Sequence, residues 1–177
     1  VAEHPGMEPS PSGTGKGETW KVLAVSFFGL GLAPVAPGTF GTFGGIALAV
    51  PLARVPGPFW IWALAAVVVL LLLGIALGPW AERRWRLKDP GAVVLDEVAG
   101  YLVTVAIFDL FHARPLQWGG HLLAFLLFRI ADIGKPPPGR RVEHLPGGWG
   151  VMLDDIVVAL YSGGALAFFG SWGVPWL

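Results

Sequence analysis

At 177 residues the chain fits one domain, and its 12 basic and 12 acidic residues give a formal net charge of zero. Apolar residues make up 54% and charged residues only 14%, against about 25% charged in an ordinary soluble chain, so the composition is that of a membrane protein, and the lack of a basic face argues against nucleic acid as a partner. With no cysteine, disulfides, thiolate metal sites and cysteine nucleophiles are excluded.

Residues 1–19 are polar and rich in Pro, Gly and Ser. They lack the charged-then-apolar plan of a signal peptide and read as a disordered cytoplasmic tail, with residues 20–177 as a single membrane-embedded domain. Residues 22–32 predict one short helix, suited to lying in the membrane interface. The stretch GLGLAPVAPGTFGTFGG, residues 29–45, reads as a loop from its Pro and Gly content. Residues 44–53 continue as a short apolar helix, and residues 55–58 turn. Residues 59–77 are the surest span: no charge occurs from 55 to 81, and about 18 apolar residues suffice to suggest a crossing. Residues 82–91 form a charged loop. Residues 92–111 predict a helix with Asp96 and Glu97 about five residues inside it, roughly 8 Å below its start, and Asp109 at its far end. HARPLQW turns the chain, and residues 119–133 bring it back. Pro136, Pro137 and Pro138 cannot continue that helix. The last helix covers residues 151–172, with Asp154 and Asp155 in its first turn. The fold class is therefore all-α: a polytopic membrane bundle of four or five spans, with an interfacial acidic site at the cytoplasmic face.

Orientation comes from the basic residues. If the spans alternate, Lys16, Lys21, Arg83, Arg84, Arg86, Lys88, Arg129, Lys135, Arg140 and Arg141 share one side and only Arg54 and Arg114 the other, a clear positive-inside bias. The carboxylates at 96, 97, 132, 154 and 155 fall on the cytoplasmic side too. Trp60, Trp80, Trp118, Trp172 and Trp176 suit the interfacial belts.

Five carboxylates at one depth repel one another unless hard divalent cations bridge them. Mg²⁺ is the expected cation, since it takes oxygen ligands and keeps positions open for phosphate and water. For Asp154 alone a helix cap is the simpler reading; for Asp96, Glu97, Asp132, Asp154 and Asp155 together, beside apolar spans, a site is. Arg129, three residues before Asp132, either pairs with it on one helix face or meets substrate. Gly38, Thr39, Gly41 and Thr42 offer backbone N–H groups and hydroxyls that can cradle a phosphate, although Gly-Thr repeats equally break membrane helices. Lys135, Arg140 and Arg141 can hold anionic headgroups, with a surface anchor the plainer role for the arginine pair. His144 alone among the histidines is near the acids; His112 and His121 belong to the outer half.

Four stretches, APVAPGTFGTFGG, VVLDEVAGYLVT, FRIADIGKPPPGRRVE and GGWGVMLDDIVVALYS, have the order and spacing of the phosphatidylglycerophosphatase A family, which the chain resembles over almost all of residues 33–162. The resemblance implies a phosphatase of the bacterial inner membrane that needs Mg²⁺ and removes the terminal phosphate of phosphatidylglycerophosphate; the spans and the basic residues above make it multi-pass with the site facing the cytoplasm. The resemblance places the family's acidic positions on Asp96, Glu97, Asp132, Asp154 and Asp155, and its basic position on Lys135.

The residues limit the mechanism in the same direction. There is no D-x-D pair for an aspartyl-phosphate enzyme of the haloacid type, no His–Arg signature of the vanadium-peroxidase-like lipid phosphatases, and no D-x-x-D-G-x-x-A-R run of an alcohol phosphotransferase. What remains is metal-assisted phosphoryl transfer to water. Glu97 either completes the metal shell or acts as general base, and an aspartyl-phosphate at Asp96 or Asp154 stays open. The rival reading is an ion or small-solute transporter using the same carboxylates.

Overall fold

The structure is a computed structural model that describes residues 17–173 and Leu177. The expected tail up to Lys16, and Trp176, lie outside the described residues. Within them the fold is all-helical as expected: α1 (Thr19–Val25), a 3-10 turn (Leu30–Leu32), α2 (Pro37–Leu52), α3 (Phe59–Trp85), α4 (Leu95–His112), α5 (Trp118–Gly134), α6 (Gly139–Val142) and α7 (Gly148–Gly170).

Helix α4 is the axis. Between its acidic ends its sequence is apolar on every side, so no face prefers water, and 13 of its 18 residues are buried. Helices α2, α3, α5 and α7 pack around it. Against α7 the approach is close enough that a Cβ on Gly163 would meet the Ile107 side chain at 2.6 Å and the Thr104 carbonyl at 3.1 Å. The Thr104 and Ser162 hydroxyls, 2.7 Å apart, join the two helices there.

Helix α3 is the opposite case. Ile61, Trp62, Leu64, Val68, Val69, Leu72 and Leu73 are all exposed on it. It and α7 are long and apolar enough to cross a membrane; α2, α4 and α5 have 16, 18 and 17 residues.

Several sequence-predicted boundaries are corrected. The segment 22–32 is not one helix: α1 ends at Val25, and Phe27, Phe28 and Gly29 all take positive φ. The expected loop over residues 29–45 is helical from Pro37 onward. Proline at the first helical position is pre-set in φ, and packing against α4 overrides the low helix propensity of the glycines. The expected charged loop starts at Arg86, since α3 runs through Pro79 to Trp85, with Arg83 and Arg84 in a last turn whose dipole favours cations. Helix α4 starts three residues late, which puts Asp96 and Glu97 in its first turn. Helix α7 starts three residues early, at Gly148, so Asp154 and Asp155 sit in its second turn.

The bundle has two distinct ends. At one, the starts of α2, α4 and α7 meet the ends of α3 and α5. The Val94 amide donates to the Val25 carbonyl at 3.0 Å, Trp80 Nε1 to Glu18 at 3.1 Å, and Lys88 Nζ to the Glu143 carbonyl at 3.0 Å. At the other, the Trp60 amide at the start of α3 donates to Asp109 at 3.1 Å.

Candidate active site

The first turn of α4 and the second turn of α7 face each other at the first of these ends. One carboxylate oxygen from each of Asp96, Glu97 and Asp155 lies within 4.8 Å of the others. Asp96 and Asp155 are 7% and 3% exposed. Asp96 Oδ1, Glu97 Oε2 and Asp155 Oδ2 are buried without any hydrogen-bond partner. Buried carboxylate oxygens without donors are costly, and here three of them converge.

The two other expected metal ligands stand beside this triad with cations of their own. Asp132 Oδ2 accepts a 2.6 Å hydrogen bond from Arg129, whose guanidinium also lies 4.0 Å from Glu97 Oε1. Asp154 Oδ2 accepts one from Lys135 at 2.6 Å, and its Oδ1 accepts the Asp155 amide at 3.0 Å. Lys135 also pairs with Glu143 at 3.3 Å. Burial works against charge on Lys135, but the Asp154 and Glu143 contacts prevail and hold its ammonium above the ordinary lysine range.

Gly38, in the first turn of α2, closes the cluster from the side. A Cβ there would meet Glu97 Oε1 at 2.3 Å and Arg129 Nη1 at 2.9 Å, and one on Gly41 would meet the Glu97 Cβ at 3.2 Å. A side chain here would push aside the ends of two flexible charged side chains, so glycine lets Glu97 and Arg129 sit where they do. The phosphate-cradle expectation for this segment is corrected in part. It is a helix start rather than a loop, and the Thr42 hydroxyl is buried and donates to the Gly38 carbonyl at 2.9 Å. Thr39 is half-buried one turn earlier. Arg140 is exposed and donates to the Gly134 carbonyl at 3.2 Å, and Arg141 and His144 are exposed as well.

Sequence reasoning missed Asp89. It lies in the α3–α4 connection, near enough to Asp96, Asp132, Asp154, Glu143 and Lys135 to interact with their charges. Burial raises its carboxyl above the ordinary range; Lys135 opposes that, and Glu143 and Asp132 add to it. The available signal was its place in KDPG, a turn leading directly into the helix that carries Asp96.

The donors suit a hard divalent cation. All are carboxylate oxygens, and among the described residues three are without partners and no histidine joins the cluster, which is the chemistry Mg²⁺ takes.

The family pattern described as phosphatidylglycerophosphatase A matches residues 23–169. The chain belongs to the phosphatidylglycerophosphatase A family. It is 35% identical to phosphatidylglycerophosphatase A of Escherichia coli K12 over 160 residues, covering 85% of this chain and 83% of the relative. It is 37% identical to the protein of that name from Haemophilus influenzae, covering 80% and 82%. It is 36% identical to a candidate phosphatidylinositol-3-phosphatase of Bacteroides thetaiotaomicron, covering 80% and 87%. No solved structure gives a significant match. Membership makes the chain a phosphatase by family, and Asp96, Glu97, Asp132, Asp154 and Asp155 gather at one end of the bundle, with Asp109 at the other end bonded to the Trp60 amide, rather than along a path through it. Both facts speak against the transporter reading.

Proposed function

We propose that this chain hydrolyses the terminal phosphate of phosphatidylglycerophosphate, leaving phosphatidylglycerol and inorganic phosphate, with Mg²⁺ held by Asp96, Glu97 and Asp155. The observation that carries the reading is the set of three buried carboxylate oxygens without partners, in a chain of this family.

Magnesium bound there would neutralise charge on the phosphoryl oxygens and lower the pKa of a bound water. The chain's own residues do the rest. Arg129 fixes Asp132 and leans toward Glu97. Lys135 fixes Asp154 and, held protonated, offers positive charge to the phosphoryl group. Glu97 is the least buried of the triad; with its partnerless Oε2 given to the cation, its Oε1, which faces Gly38 at the start of α2, takes the proton of the attacking water. The bond from phosphorus to the glycerol oxygen breaks, and the proton that Glu97 accepted from the water passes to that oxygen, which leaves as the free hydroxyl. The Gly38 amide, in the first turn of α2, has no intrahelical carbonyl to bond and points positive dipole toward the phosphate.

Helices α2, α3, α4, α5 and α7 read best as five crossings of a bacterial inner membrane. The shorter ones reach about 24–27 Å, close to the hydrocarbon thickness of about 30 Å. Nine of the eleven basic residues among those described then fall at the acidic end, a bias that supports a site at the cytoplasmic face. Two acyl chains can stay in the inner leaflet while the headgroup reaches the carboxylates.

The test is phosphate release by the purified protein from phosphatidylglycerophosphate and, in parallel, from phosphatidylinositol 3-phosphate, because one relative carries that name. Turnover of the first at least about tenfold above the second supports the assignment; the reverse preference moves it to inositol lipids with the same chemistry.

A further inference from the structure

The end of the bundle away from the acids holds an open cleft of about 510 Å³, lined by Arg54, Leu116, Gln117, Trp118 and His121 among others. It lies between the end of α2 and the start of α5. His121 and Asp132 are 11 positions apart on α5, so the cleft is roughly 16 Å from the carboxylates. No step of the proposed hydrolysis uses it.

Its polar groups are arranged for an anion. Among the described residues Arg54 has no ion pair, and it is exposed. His121, in the cleft wall, is 8% exposed and its Nδ1 is engaged by the Tyr101 hydroxyl at 2.7 Å, which fixes the ring. The Gln117 side chain adds an amide. The nearest acid, Asp109, lines the adjoining crevice with His121, and its carboxylate already accepts the Trp60 amide. The wall is otherwise apolar and aromatic: Val50, Pro115 and Leu116 line it beside Trp118, which is 73% exposed. An arginine in a cleft rimmed by tryptophan, at the end of a helical bundle, matches an amphiphile with a phosphate headgroup better than a small free anion.

We propose that this cleft is a binding site for the phosphodiester headgroup of an anionic phospholipid in the opposite leaflet, with Arg54 and His121 on the phosphate and Trp118 beside the glycerol and upper acyl chain. It rests on the reading of the bundle as membrane-spanning, but not on the chemistry at the carboxylates.

The experiment is native mass spectrometry of the whole chain in detergent with phosphatidylglycerol or phosphatidylcholine added, beside Arg54→Gln and Ala53→Phe, the second filling the cleft. Asp155→Asn serves as the background, so that loss of turnover and loss of lipid binding are read separately. One phosphatidylglycerol retained in preference to phosphatidylcholine, weakened about fivefold by Arg54→Gln and by Ala53→Phe, with the same loss in the Asp155→Asn background, supports the site. Equal retention by the parent and both cleft variants overturns it. Displacement of the lipid by millimolar inorganic phosphate, with no preference between the two lipids, also overturns it and leaves a free-anion site.

Discussion

Helix α4 carries acids at both ends, and the fold treats them differently. Asp109 is buried, yet its carboxylate is satisfied by the amide at the start of α3. Asp96 is buried and Glu97 half-buried, each with a buried oxygen that nothing among the described residues satisfies, and Asp155 joins them from α7. Burial alone therefore does not mark the site. A satisfied buried acid holds two helices together, whereas convergent unsatisfied ones repel and are retained for something outside the chain.

The comparison breaks most directly by mutation at each end. Asp155→Asn and Asp96→Asn should lower phosphate release by at least about a hundredfold, while Asp109→Ala should leave turnover within about threefold and cost about 1 kcal/mol of stability through the lost cap. Release assays and thermal unfolding of the same preparations check both halves. If Asp109→Ala proved as inactive as Asp155→Asn, the distinction between the ends would be lost.

A second contrast separates two glycines. Gly38→Ala drives a Cβ into Glu97 and Arg129, and Gly163→Ala drives one into Ile107. At Gly163, against the packed Ile107 side chain and the Thr104 carbonyl, overpacking costs about 1–3 kcal/mol, whereas at Gly38 the movable ends of Glu97 and Arg129 shift instead. For Gly38 the substitution should appear as about a tenfold or greater loss of turnover with little change in melting; for Gly163, as lower melting with activity retained in the folded fraction. Steady-state kinetics beside a melting curve decides.

The acidic end itself was largely legible before any coordinates. Asp96, Glu97 and Asp155 stand out as acids set in apolar runs, and their type and placement are enough to suggest oxygen ligands for a cation. What the sequence does not reveal is which acids are already matched. The three-residue spacing already offers Arg129 as a partner for Asp132, as found, but Asp154 looks equivalent to the others in the chain, and only packing shows that Lys135 has taken it. The Gly-Thr segment misleads because glycine and proline content signals a loop, while the actual constraint is close approach to Glu97 and Arg129. Asp89 is missed because a charged, proline-containing turn looks like solvent-exposed connection.

Smaller effects sharpen the same picture. Lys135→Met leaves Asp154 without its ammonium partner and should reduce turnover by about ten- to a hundredfold, less than loss of a triad carboxylate. In the absence of divalent cations, Asp155→Asn should raise stability by about 1 kcal/mol, since it removes one charge from a crowded, unpaired set. Melting curves in chelator read that gain, and a lower melting point for the variant would contradict the repulsion assigned to the triad.

The measurement that bears most directly on the central claim is phosphate release from phosphatidylglycerophosphate as a function of Mg²⁺, in the parent chain and in Asp155→Asn. The account predicts saturable activation by Mg²⁺ in the parent, abolished by chelator, and almost no activation in the variant at any concentration. Undiminished release in chelator, or the same activation curve in both proteins, would contradict it.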